Sequence, residues 1–255
     1  MPRNPLGSKN VSFGLSALAS AVAVLLVVCF AIYAGITSLN RDVPGGDAVR
    51  FAQPGIGGGR TTSAVFVGDS YTEGVGSSSE SLRWTSQVSA DMGWYEINLG
   101  VGGTGYLNAM ESSDCQRASC SAYRDQVGII AQFSPSVVVV AGGQNDMAAM
   151  LIDPSVVELA VQKTYREIRR ALPNVQIVAV GPSFPTPAED VETEAGRLRL
   201  DRAVRSAADE ASGVYVSLMD PSVISPSMIL PDMNHVNDIG HRAIADRVVS
   251  VLLRE

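Results

Sequence analysis

Five runs of apolar, mostly β-branched residues recur after Thr61: Ser63–Val67, Tyr95–Leu99, Ser136–Ala141, Val175–Val180 and Val214–Leu218. Each has the length and composition of a strand. The third contains four consecutive valines, Val137 to Val140, as a strand covered on both faces requires. Between these runs the apolar spacing becomes helical. In Asp153–Leu172, the side chains of Val157, Val161, Tyr165, Ile168 and Leu172 fall on one face. Asp153 can cap that helix, and Pro154 suits its first position. Leu198–Ala211 and Asp238–Leu253 carry the same period. Strands alternating with helices predict an α/β domain with a parallel sheet covered on both faces. No internal repeat is present.

The N-terminal part follows a different pattern. No charge occurs between Lys9 and Arg41, and Val11 to Ile36 is almost wholly apolar or small. About 20 such residues span a bilayer as a helix. A cleaved signal peptide usually has an apolar stretch of only about 7–15 residues. Cys29 follows Leu26-Val27-Val28, a poor lipobox. The expectation is an uncleaved anchor over 11–37, with secretion after cleavage as the alternative. Arg3 and Lys9 precede it and hold the N-terminus, 1–10, in the cytoplasm. Residues 38–60 are rich in Gly and Pro and read as a flexible tether. The globular domain, 61–255, would then lie outside the cytoplasm on a single-pass protein of the cell membrane.

Composition narrows the partners. Apolar residues make up 46% of the 255, enough for a full core. From Thr61 onward there are 14 Lys and Arg against 24 Asp and Glu, a formal charge of −10. With no basic run, nucleic acid is excluded as a partner, and an anionic membrane surface would repel the domain. Nothing in the pattern specifies an oligomeric state. Cys115 and Cys120 close a short loop, and in an oxidising compartment they are expected to pair as a disulfide. Two cysteines with no nearby histidine are too few for a metal site.

The candidate chemistry lies where the strands end. The first four runs lead into Gly-Asp-Ser at 68–70, NLGVGGTG at 98–105, GGQND at 142–146 and GPSFPTP at 181–187. In an open parallel sheet, function gathers at the carboxyl ends of the strands. Gly, Asp and Ser are also ordinary turn residues, so Ser70 needs partners elsewhere to be more than a bend. A serine hydroxyl needs a base, and the chain has two histidines. His241 follows Gly240 inside a helical pattern and reads as structural or capping. His235 precedes that helix, three residues after Asp232, so the carboxylate can fold back and fix the imidazole. The glycine-rich stretch 98–105 offers backbone N–H groups, and Asn145 a side-chain amide, as candidate oxyanion donors. An ordinary turn at Gly103 and an Asx-turn or cap at Asn145 are the bland alternatives.

The ordered set GDS, N-x-x-x-x-G, GGxND and D-x-x-H resembles the SGNH hydrolases, or GDSL-type esterases and lipases. The resemblance covers 61–255. It implies a three-layer αβα fold with a five-stranded parallel sheet of order 2-1-3-4-5. It also implies a serine esterase that needs no metal or organic cofactor. Ser70 matches the nucleophile, Asp232 and His235 the remaining triad members, and the N–H groups of Ser70 and Gly103 with the Asn145 amide the oxyanion hole. Gly102 is the alternative register. Two positions depart from the common pattern: Tyr71 stands where Leu is usual, and Val236 where Pro often follows the histidine. Location and family habit suggest an O-acetyl or short acyl group on a cell-envelope glycan as substrate. An acyltransferase with the same residues, or a non-catalytic glycan-binding module, are the competing readings. The loops Gly181–Gly196 and Ser222–Leu230 are expected to shape the pocket, with Phe184 as an apolar wall.

Overall fold

The computed structural model describes residues 62–110 and 120–255. All five expected strands form and pair in parallel: β1 Ser63–Gly68, β2 Tyr95–Asn98, β3 Val137–Ala141, β4 Gln176–Val180 and β5 Val214–Val216. Their order across the sheet is β2-β1-β3-β4-β5. The order reverses between β1 and β3, which leaves a crevice at the carboxyl ends of those strands. The last strand stops at Val216 rather than Leu218, because Ser217 Oγ accepts from the N–H groups of Met219 and Asp220 and turns the chain.

The valine run shows why the sheet is covered twice. Val138 and Val140 face one apolar cluster, Val137 and Val139 the other, and all four are at most 1% exposed. Helices α3 (Val127–Gln132), α5 (Pro154–Ala171) and α6 (Val191–Glu210) supply the first cluster with Ile130, Val157, Val161, Tyr165, Ile168, Leu200 and Val204. Helices α2 (Trp84–Met92) and α7 (Asp238–Leu252) supply the second with Trp84, Val88, Ile244 and Val248. Two short helices, α1 (Ser70–Glu73) and α4 (Met147–Ile152), follow β1 and β3.

Helix α5 starts as its sequence requires. Pro154 occupies its first turn and the Asp153 carboxylate accepts from Ser155 N–H at 3.1 Å. Helix α6 corrects the expectation that 181–196 is all loop. It begins at Val191, because the Asp190 carboxylate accepts from Thr193 N–H at 2.7 Å and Glu192 and Glu194 stand in the positive first turn. The expected anchor over 11–37, the tether over 38–60 and Cys115 lie outside the described residues, whereas Cys120 is buried. Among the described residues no helix is long and apolar enough to cross a membrane.

Candidate active site

The turn after β1 is built to leave a serine at its crest. A Cβ on Gly68 would stand 2.5 Å from the carbonyl oxygen of Ala141 in β3, and closer still to Thr72 Oγ1, so only glycine lets the chain turn there. Asp69 caps the helix that follows, its Oδ1 accepting from Tyr71 N–H at 3.0 Å. Ser70 is therefore the first helical residue, with its own N–H uncapped. Asp69 is fully buried, and burial pushes its carboxyl up to about 7 against the opposing bonds from Tyr71 N–H and the Tyr123 hydroxyl.

The segment before α7 returns to meet this turn. Asp232 Oδ1 accepts from the N–H groups of His235 at 2.9 Å and Asn234 at 3.0 Å, while Oδ2 lies 2.7 Å from His235 Nδ1. One carboxylate thus shapes the turn and orients the ring. The bond from His235 N–H, then that from Asn234 N–H and the imidazole contact, lower the Asp232 carboxyl to about 2. Across 165 positions of sequence, His235 Nε2 lies 2.9 Å from Ser70 Oγ. With Nδ1–H donated to the carboxylate, Nε2 faces the hydroxyl as an acceptor.

The loop after β2 crosses the end of β1 through Val101 N–H to the Gly68 carbonyl at 2.9 Å. Gly102 lies against Ser70, and its N–H is already given to Glu73 Oε2 at 2.8 Å. Gly103, in the left-handed region at φ +76°, has an N–H with no acceptor among the described residues. Asn145 lies in a 3-10 turn after β3, and its amide donates to the Thr104 carbonyl at 2.9 Å, which fixes it beside the Gly103 turn.

Three further side chains support this geometry; of them only Tyr71 was noted in the sequence, as a departure from leucine and not as a support. The Asp146 carboxylate takes the N–H groups of Tyr106 (2.7 Å), Leu107 (3.1 Å) and Asn108 (2.8 Å), so the residue after Asn145 anchors the whole Gly103 loop. Glu73, one turn after Ser70, holds Gly102. Tyr71 donates its hydroxyl to the Asn234 carbonyl at 2.7 Å, tying the Ser70 turn to the His235 turn. Asp146 and Tyr71 adjoin Asn145 and Ser70, and Glu73 lies one helical turn from Ser70; that nearness was the available signal.

His241 is a different kind of histidine. It is buried, its Nδ1 accepts from Trp84 N–H at 3.3 Å, and its Nε2 donates to the Val75 carbonyl at 3.1 Å. Burial holds it below the ordinary imidazole range, so it is neutral and structural.

A hydroxyl within hydrogen-bond reach of an oriented imidazole, beside backbone N–H groups with no acceptor among the described residues, could serve acyl transfer. The sequence pattern of the GDSL-like Lipase/Acylhydrolase family matches residues 66–243, and the chain belongs to this family. It is a carboxylic ester hydrolase of the GDSL type. It is 26% identical over 203 residues to the GDSL lipase Rv0518 of Mycobacterium tuberculosis, covering 77% of this chain and 84% of that one. In fold it resembles a catalytic mutant of the acetylxylan esterase Axe2 from Geobacillus stearothermophilus (TM-score 0.54, 16% identity, 75% of this chain and 94% of that one). It also resembles the aryl esterase of M. smegmatis (TM-score 0.58, 16% identity, 76% and 99%).

Proposed function

We propose that the protein hydrolyses an O-acetyl or other short acyl ester through Ser70, His235 and Asp232. The observation that carries this reading is the unbroken chain Ser70 Oγ, His235, Asp232, with contacts of 2.9 and 2.7 Å. Ser70 Oγ attacks the ester carbonyl carbon as its proton passes to His235 Nε2. The oxyanion is held by the N–H groups of Ser70 and Gly103 and by the Asn145 amide. The intermediate collapses, the carbon–oxygen bond to the alcohol breaks, and Nε2 returns its proton to the leaving oxygen. Water then attacks the acyl-serine as its proton passes to Nε2; the bond from the acyl carbon to Ser70 Oγ breaks, Oγ takes that proton back, and the acid leaves. Asp232 keeps the Nδ1–H tautomer and stabilises the transient imidazolium.

Ser70-dependent hydrolysis of 4-nitrophenyl acetate, lost in Ser70→Ala together with labelling by an organophosphonate, tests the reading. Labelling elsewhere with Ser70→Ala fully active overturns it. Adding a sugar acceptor and analysing the products separates hydrolysis from acyl transfer. The glycan part of the reading draws on the acetylxylan esterase among the fold relatives and on the proposed location. That location is outside the cytoplasm, tethered by 11–37, with Cys115 and Cys120 paired. Protease accessibility in intact cells and a thiol count on the unfolded, unreduced chain test these two points.

A further inference from the structure

The strand order places one open groove in a specific relation to the chemistry. Gly103 follows β2, on one side of Ser70 at the end of β1; β4 and β5 lie on the other. A groove of about 340 Å³ sits beyond the ends of β4 and β5. Its walls include Phe184, Pro185, Leu218, Met219 and Ile224, with Arg197 of α6 against Phe184. Ser183 and Leu218 at its inner end also line the buried hollow containing Asp69 and Tyr71. The Leu218–Pro226 wall runs on into residues bonded to the histidine turn: Leu230 N–H to the His235 carbonyl and Asn237 N–H to the Met228 carbonyl, both 2.8 Å. The groove therefore lies on the imidazole side of Ser70, away from Gly103.

That side has a chemical meaning. The ester's carbonyl oxygen must point to the oxyanion donors, and its alcohol oxygen must face His235 Nε2 to be protonated. Resting on the triad reading above, we infer that this groove binds the alcohol part of the substrate, and that the alcohol is a neutral sugar. The lining pairs one cation, Arg197, with one anion, Glu194, so no net charge selects an ionic ligand. Apolar faces from Phe184, Leu218 and Ile224 alternate with the hydroxyls of Thr186 and Ser222, which suits the C–H faces and hydroxyl edge of a pyranose. An acyl chain would call for an unbroken apolar wall. Arg197 is pre-set for the task. Its guanidinium lies over the Phe184 ring, 4.6 Å from the ring centre, Nη1 donates to the Thr186 carbonyl at 2.7 Å, and Nε has no partner among the described residues.

The test holds the acyl group constant and changes the alcohol. With the full chain in detergent, kcat/KM is measured for glucose pentaacetate and for ethyl acetate, whose alcohol is too small to fill the groove. The wild type should prefer the sugar ester by about tenfold or more, a gap that pocket contacts can supply. Arg197→Ala on one wall and Met219→Trp on the other should each erase that preference, with ethyl acetate changed less than about twofold. No preference in the wild type, or equal losses on both esters, overturns the inference. A change confined to acyl length, seen with ethyl acetate, butyrate and hexanoate, reassigns the groove to the acyl side. Loss of Ser70-dependent hydrolysis of every ester would instead strike the triad reading itself.

Discussion

Two histidines six positions apart have opposite surroundings. His235 is partly open, faces a hydroxyl on one side and a carboxylate on the other. His241 is buried between two backbone groups, one donating to it and one accepting from it. The ring is the same, so its role comes from its partners. Polar side-chain partners leave a proton free to move, whereas a donor and an acceptor fixed in the main chain lock one tautomer in place. His241 uses both nitrogens to join α7 to the start of α2 and to the loop after α1, and so supports the platform on which His235 stands.

Substitutions can separate the two. His235→Ala should lower kcat on 4-nitrophenyl acetate by at least ~10⁴-fold while thermal unfolding stays within a few degrees. A large fall in melting temperature there would blur the contrast. Asn145→Ala comes next, with kcat down roughly 10²–10³-fold and KM little changed; unchanged turnover would remove Asn145 from the site. For His241→Ala the cost should fall on stability instead, about 2–4 kcal/mol by denaturant titration, with kcat of the folded enzyme within a few-fold. Catalytic loss without destabilisation would break the comparison.

The smallest effects are pH slopes of stability, and they run in opposite directions. His241 is held below its ordinary range, so acid protonates the unfolded chain first. Its share of stability is present above that range and fades as pH falls through it. Asp69 is raised to about 7 from 3.8, so the folded state holds its proton longer than the unfolded chain does. Its contribution therefore worsens as pH rises from about 4 to about 7. Asp69→Asn should raise the stability of the protein at pH 7 relative to pH 4, compared with wild type. Melting curves at the two pH values read this directly, and parallel curves for both proteins would mean that Asp69 is ionised throughout.

Much of this was visible in residue patterns. The five strands, the parallel pairing and the doubly covered Val137–Val140 run follow from periodicities that depend only on neighbours in the chain. The start of α5 at Pro154 was legible for the same reason. The start of α6 was not, because Gly196 and the prolines before Ala188 mask a helix whose first turn depends on one cap, Asp190. Ser70, His235, Asp232, Gly103 and Asn145 were all named from short motifs, and the fold brings them to one sheet edge.

Their supports stayed hidden. Tyr71 looked like a substitution for leucine until its hydroxyl was seen on the Asn234 carbonyl. Asp146 looked like the end of a motif until three N–H groups from the Gly103 loop were seen on its carboxylate. Sequence by itself determined which elements form and which chemical groups are present, because local steric and solvation preferences act between near neighbours. Tertiary structure alone decided which groups meet: the 2.9 Å contact between Ser70 and His235 exists only after sheet packing has closed 165 residues of chain. It also decided which backbone donors are used up, as at Gly102, and which have no acceptor among the described residues, as at Gly103.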